Sequence, residues 1–494
     1  MLPPSWTFGT YLSTSFLTSY DEETVTTQLE GMKERGIPVS VFHFDCFWMK
    51  GHQWCGFEFD EENFPDPRAF LSRLHDRGLK VCVWINTYIG QNSSAFDEAA
   101  EKGYLIKRKD GTIWQSDSWQ AGMGIVDLTN PGAVKWYEDH LEILLNLGVD
   151  TFKTDFGERI PWDDVVCYNG MDPAAVHNYY SHLYNSTVFK LIERVKGKDT
   201  AAIFARSAAT GGQRYPVHWG GDSESSWTGM AEALRGGLSF GLSGFAFWSH
   251  DISGFMAEGH TSDVPDGDLY KRWVQFGLLS SHSRLHGSNT YRVPWLVDEE
   301  ASTVLSKFSK LKNSLMPYIW TESRQAVVKG TPLLRAMLLE FPEDPTCWTL
   351  DQQYMFGSSL LVAPIFNPEG EVTYYIPEGT WVGLFDGKSR VGPRWITEIY
   401  DNLSLPVLVR QNSVVLIGKE TDKADYDYAA NLAVAIVGHV EEDALLSADV
   451  SSDRLDSKIT RVLVDTKTLE ASTEDEHRAL DLKVKKLGDE GFHF

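Results

Sequence analysis

From Thr7 to about Gly330, short apolar, β-branched or aromatic runs alternate with longer amphipathic stretches. This is the pattern of repeated β-α units around a parallel sheet. About eight such runs are legible, the number a closed (β/α)8 barrel requires. They are expected to begin near Trp6, Val39, Lys80, Asp150, Ala201, Val217, Gly244 and Leu278. Their far ends carry polar or aromatic residues: Phe16, Asp45, Asn86, Asp155, Ser207, Asp222, Asp251 and His286. In such a barrel the C-terminal strand ends build the functional site, so polar groups collecting there mark its mouth. An open doubly wound sheet would alternate in the same way, but no GxGxxG opens a helix after the first run.

The spacing between Asn86 and Asp150 is too long for one β-α unit and contains Lys107-Arg108-Lys109-Asp110-Gly111-Thr112, which reads as a small hairpin. The chain is therefore expected to divide into an α/β segment, 1–330, folded as a (β/α)8 TIM barrel with an insertion at about 87–149, and two further parts. In 331–418, short runs broken by Pro and Gly predict a small antiparallel β-sandwich domain: Leu360–Pro364, Thr373–Pro377, Val407–Val409 and Val414–Ile417. Residues 419–494 read as an acidic tail or a truncated distal β domain, with the charged stretch Glu470 to Asp489 expected to be a solvated helix face.

With 494 residues, several domains are expected. Lys+Arg 45 against Asp+Glu 69 leaves a formal charge of −24, which repels phosphate backbones and anionic lipid surfaces, so no nucleic acid or membrane partner is expected. No run is long enough to cross a bilayer. The aromatic content is high, with Trp 17, Tyr 19 and Phe 26, and ring faces suit the apolar C–H faces of sugars. The cysteines Cys46, Cys55, Cys82, Cys167 and Cys347 form no CxxC pair, so reduced thiols are expected. No secretory signal is legible at Met1-Leu2-Pro3-Pro4-Ser5-Trp6, and a cytoplasmic location is the expectation. A homo-oligomer is compatible with the sequence.

The chemistry gathers on two aspartates. Asp155 ends the run Thr151-Phe152-Lys153-Thr154-Asp155, and Asp222 follows His218-Trp219-Gly220-Gly221. Glycosidic cleavage needs one carboxylate and one carboxylic acid flanking the anomeric carbon. Period-2 geometry sets Lys153 on the same strand face as Asp155, where its ammonium would keep that carboxylate ionised. The charge of Asp155 would in turn raise the pKa of Asp222, as a general acid requires. Strand-end aspartates also serve as N-caps of the following helix, and spacing alone leaves that alternative open. His282 and His286 are at i, i+4, but there is no HExxH and no early HxH, so no metal and no cofactor are expected. Trp6, Trp54, Trp114, Trp136, Trp273 and Trp320 are expected to be packing residues.

Five ordered segments sharpen this reading: Lys153-Thr154-Asp155-Phe156-Gly157-Glu158, Phe204-Ala205-Arg206-Ser207, His218-Trp219-Gly220-Gly221-Asp222, Phe247-Trp248-Ser249-His250-Asp251-Ile252 and Ser283-Arg284-Leu285-His286-Gly287. Together they resemble glycoside hydrolase family 31, from Phe8 to about Gly418. The resemblance implies retaining α-glycoside hydrolysis through a covalent glycosyl-enzyme, with Asp155 as nucleophile and Asp222 as acid/base. It also implies Glu158 as an acidic neighbour of the nucleophile, Arg206 and His286 on sugar hydroxyls, and Trp84 and Trp219 as pocket walls. Glucose-cleaving members typically carry Asp-Ile-Asp after the second strand, whereas Asp45-Cys46-Phe47 is similar to the α-xylosidase members. Phe47 in place of an acid removes an acceptor and fills the volume of a hydroxymethyl group, which xylose lacks. By the same resemblance Asp45 binds sugar hydroxyls and Phe16 lies near the leaving group. Family members carry a β-sandwich before the barrel, and that domain is expected to be missing here.

The expected function is thus an exo-acting α-xylosidase with a carbohydrate substrate. The alternatives are an α-glucosidase of the same family and a truncated, inactive sugar-binding remnant. A lyase would use the same carboxylates, but would not release reducing xylose.

Overall fold

The computed structural model describes residues 1–256, 264–454, 457–475, 480–488 and 491–492. Its largest sheet contains nine short strands, all paired in parallel. In chain order they are Thr10–Ser13, Val41–Phe44, Lys80–Ile85, Thr151–Thr154, Ile203–Ala205, His218–Trp219, Trp248–Ser249, Asp251–Ile252 and Ser283–Leu285. Trp248–Ser249 pairs with the sixth of these and Asp251–Ile252 with the last, and only His250 separates the two pieces. The run Trp248–Ile252 therefore acts as one seventh barrel strand. Since Thr10–Ser13 also pairs with Ser283–Leu285, the ring is an eight-position barrel.

Local sequence explains the alternation. Each major helix of the ring is preceded by a side chain that accepts a hydrogen bond from the first helical turn: Asp21, Asp66, Asn130, Asp172, Ser226, Asp266 and Asp298. Pro67, Pro131 and Pro173 occupy the first helical turn, where a missing N–H costs nothing. Two expected strand starts are corrected. Ser5–Phe8 near Trp6 is a 3-10 turn, and Leu278 ends the helix Gly267–Leu278. Leu269 to Leu278 are all buried, Lys271, Arg272 and Gln275 among them, and the apolar stretch Phe276–Leu279 at the end of this covered helix imitates the start of a buried strand.

After the third strand come the helix Ser94–Lys102 and a small antiparallel sheet of Tyr88–Ile89, Met123–Ile125 and Gln115–Ser116. Pro131–Leu147 then returns as a helix of the ring, so the inserted structure occupies only the earlier part of 87–149. At Lys107–Arg108 the chain turns tightly, and this piece pairs with Val165–Val166 from the loop after the fourth strand.

Beyond the barrel, a six-stranded antiparallel sheet has the order Leu334–Ala336, Tyr354–Phe356, Leu360–Val362, Val407–Arg410, Glu371–Gly383, Ser389–Ile399. Val414–Gly418 leaves that sheet and pairs with Leu432–Val437, which also pairs with Lys483–Lys486. Leu445–Val450, Thr460–Asp465 and Glu470–Thr473 form another antiparallel sheet. The helix face expected over Glu470 to Asp489 is therefore corrected: its described parts include two strands, and Asp489 lies outside the described residues. Charged residues alternate there with Ala471 and Val484, which are buried, and this is a strand period rather than a helical one.

Candidate active site

The barrel interior is plugged by a small cluster distinct from the main core: Tyr11, Val41, Cys82, Phe204 and Trp219, with Trp6 against it. Two cations lie on this plug. Arg284 sits over the rings of Phe204 (4.5 Å) and Trp219 (4.9 Å), and Lys153 sits 4.9 Å from the Trp219 ring. Arg284 Nη2 is 2.5 Å from Asp251 Oδ1, and both residues are buried. Burial pushes the Asp251 carboxyl up to about 6 against the pull of Arg284.

Above the plug, Asp155 follows the fourth strand and is 6% exposed. The Trp84 indole N–H donates to its Oδ2 at 2.7 Å and the Phe156 backbone N–H to its Oδ1 at 2.7 Å. Lys153 Nζ is 3.3 Å from Oδ2, and Arg206 Nη1 is 3.4 Å from Oδ1. Burial alone would raise this carboxyl. Lys153, Arg206 and the two donors outweigh it and hold Asp155 below the usual carboxylate range. Lys153 also donates to Asp45 Oδ2 at 2.9 Å, and burial, which would lower its pKa, is overcome by the two carboxylates.

Asp222 is the exposed member, with 37% of its side chain accessible. Arg206 Nη1, the nitrogen that reaches Asp155, is 3.3 Å from Asp222 Oδ2, while Nη2 is 3.0 Å from Glu158 Oε1. One guanidinium thus serves three carboxylates, and it lies over the Phe156 ring at 4.7 Å. Desolvation and then the Asp155 charge push Asp222 above the usual carboxylate range, against Arg206. Gly221 allows the turn that presents Asp222: its φ of +76° is a conformation other residues rarely adopt.

The remaining expected residues gather around these groups. His286 is bonded through Nδ1 to Ser13 Oγ at 2.8 Å, stacks on Phe255 and reaches within 3.8 Å of Asp45 Oδ2. Phe16 and Phe47 are half-buried neighbours, with ring centroids 5.7 Å apart. Cys46 is wholly buried in the main core, so its thiol presents no surface to the mouth. His282 does not join His286: it contacts Thr7 and packs on Phe8. A different trio, His43, Asp45 and His286, brings potential ligand atoms within 4.8 Å of one another. The Lys153 ammonium already neutralises the carboxylate of that trio.

Sequence reasoning missed an aromatic group at this mouth. Trp119, from the insertion, has ring contacts with Trp54 (5.2 Å, stacked), Phe156 (4.9 Å), Phe16 (6.2 Å) and Trp84 (6.4 Å). Trp54, expected only to pack, is buried but links Trp119 to Phe47. The density of aromatics between Phe44 and Trp54 was the available signal.

Residues 1–322 match the family model described as the glycosyl hydrolases family 31 TIM-barrel domain, and 330–415 the glycosyl hydrolase family 31 C-terminal domain. The chain belongs to glycosyl hydrolase family 31. It is 52% identical over 450 residues to an α-xylosidase of Emericella nidulans, covering 90% of this chain and 57% of that protein. It is 53% identical over 439 residues to the α-xylosidase XylQ of Lactiplantibacillus pentosus, covering 88% and 57%. Its fold superposes on the Flavobacterium johnsoniae family 31 dextranase, complexed with glucose, with a TM-score of 0.87 at 26% identity, over 96% of this chain and 61% of that one. The chain thus spans about 57% of the length of these two curated relatives.

Proposed function

We propose that the chain carries the catalytic barrel of a retaining exo-α-xylosidase. The observation that carries this reading is the pair of carboxylates with opposite electrostatic settings, Asp155 held down and Asp222 pushed up, bridged by one nitrogen of Arg206. Such a bridge favours the short separation of about 5–5.5 Å used by retaining enzymes over the wider spacing that accommodates a water. In the first step Asp155 attacks C1 of the xylosyl ring while Asp222 gives its proton to the departing glycosidic oxygen. In the second, Asp222 takes a proton from water as that water attacks C1 and the ester to Asp155 breaks. Xylose leaves with its configuration retained.

Lys153 and Trp84 keep the nucleophile charged and aimed, and Glu158 holds the far side of Arg206. Asp45 and His286 bind ring hydroxyls, with Trp84 and Trp219 as walls. Selectivity for xylose rests on Phe47, whose ring belongs to an aromatic wall with Phe16 and Trp54 and offers no acceptor to a hydroxymethyl group. The names of the two relatives at 52% and 53% identity support the same substrate class. The test is hydrolysis of aryl α-xyloside and aryl α-glucoside by the purified chain beside its Asp155→Ala variant. Xylose release that disappears in the variant supports the reading. A folded chain that favours the glucoside, or releases neither sugar, overturns it.

A further inference from the structure

The chain turns abruptly as it leaves Asp155. Phe156 and Gly157 have φ of +56° and +93°, and Arg159 follows at +62°. Glycine tolerates that region, whereas Phe156 has neither the missing Cβ nor the short polar side chain that eases it, so its surroundings must hold it there. The turn has a use. It lays the Phe156 ring against the Arg206 guanidinium, 4.7 Å away, and brings Glu158 Oε1 to 3.0 Å from Arg206 Nη2. Those two contacts aim Nη1 at Asp155 and Asp222.

Two side chains from outside the turn tie down its main chain. Ser207 Oγ donates to the Phe156 carbonyl at 2.7 Å, and the Tyr88 hydroxyl donates to the Glu158 carbonyl. Tyr88 also packs its ring on Phe156, with centroids 5.4 Å apart. It is 2% exposed and comes from the inserted sheet, where it pairs with Ile125 and its own N–H donates to Asn86 Oδ1 at 2.9 Å. Burial and then the charge of Glu158 push its phenol above the usual tyrosine range, so the hydroxyl keeps the proton it donates. That hydroxyl bonds to neither Asp155 nor Asp222, so Tyr88 acts through the turn.

We infer that Tyr88 is a positioning residue of the active site: its hydroxyl and ring hold the turn after the nucleophile, and the turn holds Arg206 between the two carboxylates. The inference rests on the proposed hydrolase reading. Its consequence is a pH signature. Asp155 is faced by Lys153 and Arg206, and Asp222 by Asp155 and Arg206 with Lys153 and Asp45 behind them. Glu158 and Arg159 lie on the Tyr88 side. When the turn slackens, Arg206 is the cation that loses its hold, and it lowers both carboxyls. Both values therefore rise, Asp155 towards the usual range and Asp222 further above it.

Tyr88→Phe is the test, because it removes the hydroxyl and keeps the ring. Its kcat/KM on aryl α-xyloside should fall by about two- to tenfold, the equivalent of one hydrogen bond, and both limbs of the pH–rate profile should move to higher pH. Tyr354→Phe is the control: that hydroxyl is as deeply buried and donates to the Leu279 carbonyl at 2.8 Å, where the C-terminal sheet meets the barrel. It should lower Tm without moving either limb. Limbs that stay in place in Tyr88→Phe, whatever happens to its rate or Tm, overturn the inference. Ser207→Ala, which frees the Phe156 carbonyl, should shift both limbs the same way. It carries the test alone if Tyr88→Phe does not fold, and unmoved limbs there overturn the inference too. Proton titration of each protein against its Asp155→Asn counterpart isolates the Asp155 carboxyl without turnover. A midpoint higher in Tyr88→Phe than in the parent supports the inference, and equal midpoints overturn it. A parent that cleaves no xyloside, with the midpoint still raised in the variant, would sink the hydrolase reading and leave Tyr88 its role.

Discussion

Lys153→Met is the perturbation with the clearest consequence. The ammonium is 3% exposed and lies 2.9 Å from Asp45 and 3.3 Å from Asp155. At an effective dielectric of about 20, each contact is worth roughly 5 kcal/mol of gross attraction. Desolvation of the ammonium offsets several kcal/mol of that sum, and removing one partner of a buried ionic group typically costs about 3–5 kcal/mol. In a chain of 494 residues a loss of that size lowers Tm by about 3–5 °C. The sign with pH follows from Asp155, whose carboxyl Lys153 helps to hold below the usual carboxylate range. Without Lys153 its folded-state value moves up, because burial then opposes ionisation with less to offset it. The penalty is therefore complete where the carboxyl is ionised in both proteins and shrinks as pH falls through the raised value. Thermal unfolding of both proteins at pH 7 and near pH 4 checks this: the gap in Tm is wide at pH 7 and narrows on acidification. A variant as stable as the parent at pH 7, or a gap that widens in acid, would refute the electrostatic account of Lys153.

Asp155→Ala should lower the rate on aryl α-xyloside by on the order of ten-thousand-fold, measured as released aglycone, with circular dichroism confirming the fold. Phe47→Asp should move the ratio of α-glucoside to α-xyloside kcat/KM upward by about tenfold or more, and a constant ratio would remove Phe47 from the selectivity argument. The pH–rate profile should rise through the lowered Asp155 value and fall through the raised Asp222 value, because activity needs the first ionised and the second protonated. In Arg206→Met both limbs should move to higher pH, since the cation that favours both carboxylates is gone; a basic limb that moves down would contradict the shared-guanidinium picture.

The residues that end strands were readable because a barrel assigns them a place before any contact is known. Asp45, Asp155, Arg206, Asp222 and His286 converge from five different strands, and strand period 2 already set Lys153 beside Asp155. What stayed illegible depends on contacts distant in the chain. Trp119 meets Trp54 and Phe16 only after the insertion has folded over the barrel, and no local pattern encodes that meeting. His282 and His286 share a helical spacing but lie on either side of a strand, Ser283–Leu285, so the i, i+4 rule had no helix to act on. The connection from Ala205 to His218 carries no α-helix, which its short spacing already indicated, whereas the meeting of Arg206 with Asp222 needed the packed structure.

The placement of Trp119 separates two jobs that many pockets merge. Groups that carry charge sit on the ring strands and their immediate ends, while part of the aromatic rim is supplied by a segment spliced between the third strand and its helix. That segment is anchored by the buried Phe96, Leu105, Met123 and Ile125, and its exposed positions can change without rewriting a single strand of the ring. Under the proposed function, a library confined to those exposed positions would sample new sugar preferences on a constant reactive floor, and variants that lose their substrate should keep their fold.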